Sequence, residues 1–404
     1  MKRIYNWLPT QVDGRVRLFA WLSFITELVI IVTGGAVRLT GSGLGCPTWP
    51  LCTPESLVPT PEMGIHGVIE FSNRMMSGVV GIIAVIMVLL VLRMRRERRE
   101  LWVLSLVLLI GVVAQAIVGG ITVLTGLHPF IVGFHYTASL IMCCVAAALI
   151  IRAYAVPGPR ESAVPRWFMI TAHVTTFFVA LTIAMGVLTT ASGPHSGDLN
   201  AARTGFNAEL FEHLHAWPAY ATFGLTLFLA IASINVRGTT VHRWTLYLLA
   251  VEVLQIAVGL IQANTGLPEA LVATHMLLAA LLASAMTAVV LSLKKPVATA
   301  VPLPEASPAA VALAPQLELV ETAPFQSGRG PFLRVRGASL CPLHVGSSER
   351  VDEERGGPHG KPRADPLERQ LRHPKHAAAA SCPTRRNGPL PAWDGAVSPS
   401  SAAA

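Results

Sequence analysis

The chain has 404 residues, 52% of them hydrophobic and only 13% charged, with a mean hydropathy of +0.54. A soluble domain carries about 25% charged residues, so this composition excludes an ordinary soluble protein and implies an integral membrane one. The formal net charge of +8 gathers at the ends of apolar stretches. That placement is topogenic and leaves no basic stripe of the nucleic-acid-binding kind.

A spanning helix needs about 20 apolar residues. Eight stretches qualify: 17–37, 67–92, 101–123, 130–151, 167–189, 212–235, 244–263 and 269–293. The expected class is therefore an all-α membrane protein with eight transmembrane helices. The first stretch, after a polar start at 1–16, is too long for a signal-peptide core, and "VTGGAVRLTGSG" is a poor cleavage context; it is expected to stay in place.

The connection 39–66 contains "TGSGLGCPTWPLC", with Cys46 and Cys52. On the non-cytoplasmic side a disulfide is the default, restraining the loop by about 2–3 kcal/mol. A redox-active pair is the alternative, although the spacing is not C-x-x-C. Pro47 and Pro50 stiffen the loop and Trp49 suits a membrane interface. The loop's glycines lack the βαβ context of a dinucleotide site.

The second stretch begins "HGVIEFSNRMMSG", His66 to Gly78. At about 100° per residue His66, Glu70 and Asn73 share one face. Polar and ionisable groups at membrane depth are costly and usually mark function. Glu70 is placed to act as a base or to stabilise a cation. The structural alternative is an ion pair with Arg74, one turn on, or with Arg38.

The third and fourth stretches carry "QAIVGGITVLTGLHPFIVGFH" (115–135), which returns as "QIAVGLIQANTGLPEALVATH" (255–275) with eight identities at an offset of 140. At an offset of 142, Glu70 and Asn73 fall on Glu212 and His215, and "TGSG" (40–43) corresponds to "TASG" (190–193). The chain reads as two tandem, pseudo-symmetric four-helix bundles, 17–152 and 167–295, joined by a cytoplasmic linker at 153–166. An even number of helices per copy makes the repeats parallel. Cys143 and Cys144 fall in mid-helix and read as small packing residues.

The repeat aligns Asn73, His135, His215 and His275, each roughly 5–12 Å inside the same membrane face. A lone histidine in a bundle is most often a hydrogen-bonded packing residue. A pair related by a repeat weighs more. His215 and His275, on the second and fourth helices of their unit, suit axial ligation of a haem iron. Zinc would want more ligands. His213 competes with His215 but lies about 200° away around the helix. In the first unit the pair is Asn73 and His135, and an amide is a poor iron ligand; His66, two turns from Asn73, is the alternative.

Sixteen Lys and Arg residues lie at one set of helix ends, against only Arg38 and Arg203 at the other. The charge bias puts both termini in the cytoplasm and the cysteine loop outside. Residues 296–404 are rich in Pro, Ala, Gly and charge, and are expected to form a disordered cytoplasmic tail.

"TGGAVRLTGSGLGCPTWPLC", "IEFSNR", "GFHYTASL" and "ATHMLLAALL" resemble the haem A synthase family over about residues 17–293. The resemblance implies an oxidoreductase of the cell membrane that oxidises a methyl group of haem O to the formyl group of haem A, for cytochrome oxidase assembly. Two successive hydroxylations and a dehydration would account for the product. It implies a haem b held by His215 and His275, substrate haem O beside His135, Asn73 and His66, a catalytic Glu70, and paired Cys46 and Cys52. Haem O synthase is the implied partner, together with an unidentified electron acceptor; self-association is left open. Two departures stand out. The family's E-x-x-H-R histidine is Asn73 here, and the 190–207 connection lacks the second cysteine pair that many members carry. The rival readings are a bis-His b-type cytochrome that only passes electrons, and a haem carrier.

Overall fold

A computed structural model of the chain describes residues 8–198, 201–236 and 239–297. Lys2, Arg3, Arg237 and the expected disordered tail from 298 onward lie outside the described residues.

Eight long helices account for most of the described chain: α1 (Gly14–Leu39), α2 (Gly64–Val91), α3 (Arg99–Leu124), α4 (Pro129–Tyr154), α5 (Arg166–Ser192), α6 (Ala208–Ala232), α7 (Thr240–Asn264) and α8 (Glu269–Ser292). All eight are long and apolar enough to cross a membrane. Each contains one of the sequence-predicted stretches, or all but its last few residues, because capped polar turns extend the apolar runs. Asp13, Asn207 and Thr239 cap α1, α6 and α7 through side-chain oxygens that accept from Val16, Leu210 and His242 backbone N–H groups, satisfying donors that a helix start leaves unpaired. The second helix starts at Gly64, after a 3-10 turn at Pro61–Met63, so His66 lies within its first turn.

Helices α1 to α4 close a ring, each packing on the next and α4 on α1. Helices α5 to α8 close a second ring in the same way. The rings meet where α4 packs on α8, α1 on α8 and α4 on α5. Exchanging each helix with its repeat counterpart maps this set of contacts onto itself, as a pseudo-twofold relation requires. One cluster around Met87, Leu101, Leu149 and Met94 fills the first ring, and one around Phe168, Leu229, Leu248 and Met286 fills the second. Ile31, Leu140, Cys143 and Ala280 form a third cluster at the seam. Many large apolar side chains, Ile82, Ile110, Phe177 and Ile231 among them, point outward, as helices facing lipid do.

The repeat is visible in backbone detail. Both α3 and α7 end in Thr-Gly-Leu with positive φ at the last two residues: 59° and 60° at Gly126 and Leu127, 78° and 59° at Gly266 and Leu267. Leu127 N–H donates to Thr122 O at 2.8 Å, and Leu267 N–H to Gln262 O at 2.9 Å. These are Schellman-type closures, which need a left-handed residue after the helix; a leucine with positive φ is uncommon, and here it occurs at equivalent places twice. Across the other face, β1 (Arg160–Ser162) in the α4–α5 connection pairs antiparallel with β2 (Lys294–Pro296). Regular backbone therefore runs through Pro296, a residue assigned from sequence to the tail.

Candidate functional site

Four side chains occupy the positions aligned by the repeat, and each meets a glycine on the preceding helix. A Cβ at Gly34 of α1 would lie 3.8 Å from Asn73; at Gly119 of α3, 3.4 Å from His135; at Gly186 of α5, 2.8 Å from His215; and at Gly259 of α7, 3.1 Å from His275. The missing Cβ leaves a notch into which the ring of the next helix fits. The fit is tight at Gly186 and Gly259, at the limit of ordinary contact at Gly119, and loosest at Gly34, where an amide replaces the ring.

In the second ring His215 and His275 face each other, with ring centroids 6.2 Å apart and planes at 77°. An ion held between two imidazoles at about 2 Å from each nitrogen separates their centroids by about 6 Å. The His215 Nδ1 lies 2.9 Å from the Thr182 carbonyl. Donating there fixes the tautomer and leaves Nε2 with its lone pair, the arrangement typical of an iron-ligating imidazole. The His275 Nδ1 is buried with no protein partner, while the Gln255 amide donates to its backbone carbonyl at 3.2 Å. His213 is exposed. Among the described residues no group of three or more His, Cys, Asp or Glu gathers. The donor set here is a facing pair, which fits an axially ligated planar group and not a tetrahedral ion.

The first ring repeats the frame with one change. Gln115 donates to the His135 carbonyl at 2.9 Å, as Gln255 does for His275, and also bonds the Ser139 hydroxyl at 2.5 Å. The His135 Nδ1 is again buried without a protein partner. Opposite it, Asn73 accepts from the Thr33 hydroxyl at 2.7 Å, so its carbonyl oxygen is already engaged. His66 is exposed, and its Nδ1 lies 2.8 Å from the Ser42 hydroxyl. Its ring is tied into the cysteine loop.

Glu70 anchors that loop. One carboxylate oxygen accepts the Cys46 backbone N–H at 2.7 Å; the other pairs with Arg74 at 2.5 Å. Arg74 in turn donates to the carbonyls of Cys46, Thr48 and Leu51 at 2.8, 2.9 and 3.2 Å. The expected ion pair is thus present with Arg74, and it does more than pair charges. Together the two side chains clamp the start of the Cys46–Cys52 disulfide loop onto α2. Trp49 at the loop's tip lies against Gly120 of α3, where any side chain would collide with the indole.

Arg38, the other partner considered for Glu70, turns to the opposite ring. Its guanidinium donates to the His195 carbonyl at 2.7 Å and to the Thr190 carbonyl at 2.9 Å. The Thr190 carbonyl is in the last turn of α5, where a cation is favoured. His195 Nε2 lies 3.1 Å from the Leu267 carbonyl, and Gly43 N–H donates to Gly197 O at 2.8 Å. The cysteine-free connection after α5 is therefore held by hydrogen bonds to both rings.

Two further carboxylates sit deep in the helices and did not emerge from the sequence reading. Glu27 of α1 is 5% exposed and Glu252 of α7 is 3% exposed. Each is a single acidic residue in a long apolar run. That is the available signal, and it is the one that intramembrane function usually gives.

The family model described as "Cytochrome oxidase assembly protein" (COX15-CtaA) matches residues 17–287. Among curated relatives, the heme A synthases of Bacillus cereus (strain AH187) and Bacillus anthracis (strain A0248) are each 33% identical over 129 residues, 31% of this chain. The aligned stretch spans 41% of the length of each of those relatives.

Proposed function

The chain belongs to the COX15-CtaA family of cytochrome oxidase assembly proteins, and from that premise we propose that it is a membrane oxidoreductase converting haem O to haem A. The observation that carries this reading is the duplicated site with one complete and one incomplete ligand pair. His215 and His275 face each other at 6.2 Å; Asn73, at the matching place opposite His135, is held by Thr33.

His215 and His275 would hold a resident haem b, which supplies one-electron redox chemistry. The Thr182 carbonyl orients His215, and the notches at Gly186 and Gly259 set the two rings. His135 would be the single strong axial ligand for substrate haem O. A substrate has to leave, and an amide bound to a threonine in place of a second imidazole favours exchange. Glu70 lies three residues before Asn73 on the same face of α2, within reach of a charge that develops on the substrate's edge. Arg74 orients its carboxylate and the disulfide loop covers it, limiting water at the reacting group. The name carried by the relatives, heme A synthase, supports the same substrate class. The charge bias of the helix ends supports cytoplasmic termini and an extracytoplasmic cysteine loop.

The test is to express the chain with a source of haem O and analyse the extracted haems. Haem A and a hydroxylated intermediate are expected. Their continued absence, with haem O present in the membrane, contradicts the proposal.

A further inference from the structure

The second ring carries a pair of buried polar groups that its repeat counterpart lacks and that the ligand pairs do not explain. Two to three helical turns further along α7 and α6 than Gly259 and His215, on the same helix faces, the second ring carries Glu252 on α7 and Thr226 on α6, 3% and 0% exposed. Their repeat counterparts in the first ring are Val112 and Ala84, both packed in apolar surroundings. The Thr226 hydroxyl approaches the Glu252 carboxylate without completing a hydrogen bond, and Thr226 Oγ1 and Glu252 Oε2 are both buried with no protein partner. Buried carboxylate oxygens are normally satisfied, and each exception calls for a reason.

The orphan atoms continue along one face of α7. Glu252, Gln255, Gly259 and Gln262 follow at helical spacing. Gln255 Oε1 and Gln262 Oε1 are also buried and unpartnered. Gly259 abuts the His275 ring, and Gln255 donates to the His275 carbonyl. The seam thus runs from the α7–α8 turn, past the imidazole pair, to the carboxylate. Seven residues separate Glu252 from Gly259, or about 10 Å along the helix.

Apart from His215 and His275, among the described residues no other charged or titratable side chain shares the interior of this ring; on α5, Arg166 and His173 are exposed. On α6, Glu209, Glu212, His213 and Tyr220 are exposed; on α8, Glu269 is exposed. On α7 itself Arg243 and Tyr247 are exposed, and His242, bonded to Ser233, lies about 15 Å away toward the opposite end. Of the described titratable groups, His215 and His275 alone share the interior with Glu252. At low dielectric, a unit change of charge roughly 10–16 Å away is enough to change whether the carboxylate holds a proton.

We propose that Glu252 is a redox-linked proton site. It binds one proton when the group held between His215 and His275 accepts one electron, and releases that proton on reoxidation. The inference rests on the reading of that pair as a haem ligand set. The electron comes from an external one-electron donor, an electrode in the test below. The proton comes from solvent along the Gln262–Gln255 seam and forms the O–H bond of a neutral carboxylic acid. Net charge inside the ring is then the same before and after reduction.

The test uses the full-length protein purified in detergent. Spectroelectrochemical titration across the neutral pH range should give a midpoint potential that falls by about 59 mV per pH unit, the value for one proton per electron. Glu252→Gln, nearly isosteric, should keep the b-type spectrum and lose most of that slope. Infrared difference spectra of the parent should gain a carboxylic-acid carbonyl band on reduction, and this band should shift in protein labelled with carbon-13 glutamate. The labelled-parent measurement needs no variant to fold. An unchanged slope in Glu252→Gln, or no glutamate-derived band in the parent, overturns the proposal. A parent with no b-type spectrum instead overturns the haem reading of His215 and His275, and this inference with it.

Discussion

Replacing Glu70 by alanine should loosen the disulfide loop by a calculable amount. The change removes the acceptor of the Cys46 N–H and the counter-ion of Arg74. Leaving one buried backbone donor unpaired costs roughly 1–3 kcal/mol. Breaking a fully buried ion pair costs about 3–5 kcal/mol, but the Arg74 side chain is 17% exposed and keeps three carbonyl acceptors, so the lower part of the range applies. A total near 4 kcal/mol corresponds to loop opening increased on the order of a thousandfold. The assay is the rate at which a membrane-impermeant phosphine reduces the Cys46–Cys52 bond, read by thiol labelling. Glu70→Gln retains an oxygen for the Cys46 N–H and should show a much smaller increase. A Glu70→Ala protein reduced at the parental rate refutes the clamp. The same pair of variants separates structure from chemistry. Glu70→Gln with a protected loop but no haem A assigns the carboxylate to turnover, and Glu70→Gln with normal haem A removes it from the mechanism.

His275→Ala should abolish the b-type absorption spectrum of the purified protein, whereas His213→Ala, at an exposed neighbour of His215, should leave it intact. Gly186→Ala places a Cβ 2.8 Å from the His215 ring and should shift the ligation spectrum; Gly34→Ala, with 3.8 Å to Asn73, should not. Arg38→Leu leaves the Thr190 and His195 carbonyls without their donor and should lower thermal stability in detergent by about 1–3 kcal/mol, with no change in the b-type spectrum. His66→Ala should leave haem content unchanged if its ring serves Ser42, and should lower occupancy of the exchangeable site if it ligates iron.

Much of the architecture is legible in the letters because lipid imposes a simple rule: every span must be a long apolar helix. The repeat is legible for a different reason. Thr-Gly-Leu marks a turn whose left-handed residues are hard to replace, and both copies adopt it at Leu127 and Leu267. Those anchors put Asn73 opposite His135 and His215 opposite His275. The register between helices is not legible. The glycine notches, Gly119 for His135 and Gly259 for His275, depend on how neighbouring helices slide against one another, and nothing local encodes that. Nor did charge spacing predict where Arg38 goes. It is closer in sequence to the cysteine loop than Glu70 is, yet it caps α5 in the other ring. Glu27 and Glu252 escaped notice because each is one acidic letter in an apolar run, with no charged neighbour one turn away. Buried depth gives such residues their meaning, and depth is a property of the packed bundle.

The proposed function requires one resident and one exchangeable haem site, and the haem content and axial-ligand spectrum of the purified chain measure this most directly. One tightly held, low-spin bis-histidine haem per chain is expected. It should survive His135→Ala and disappear in His215→Ala and in His275→Ala. A spectrum unaffected by either of the last two changes, or lost equally in His135→Ala, would contradict the account.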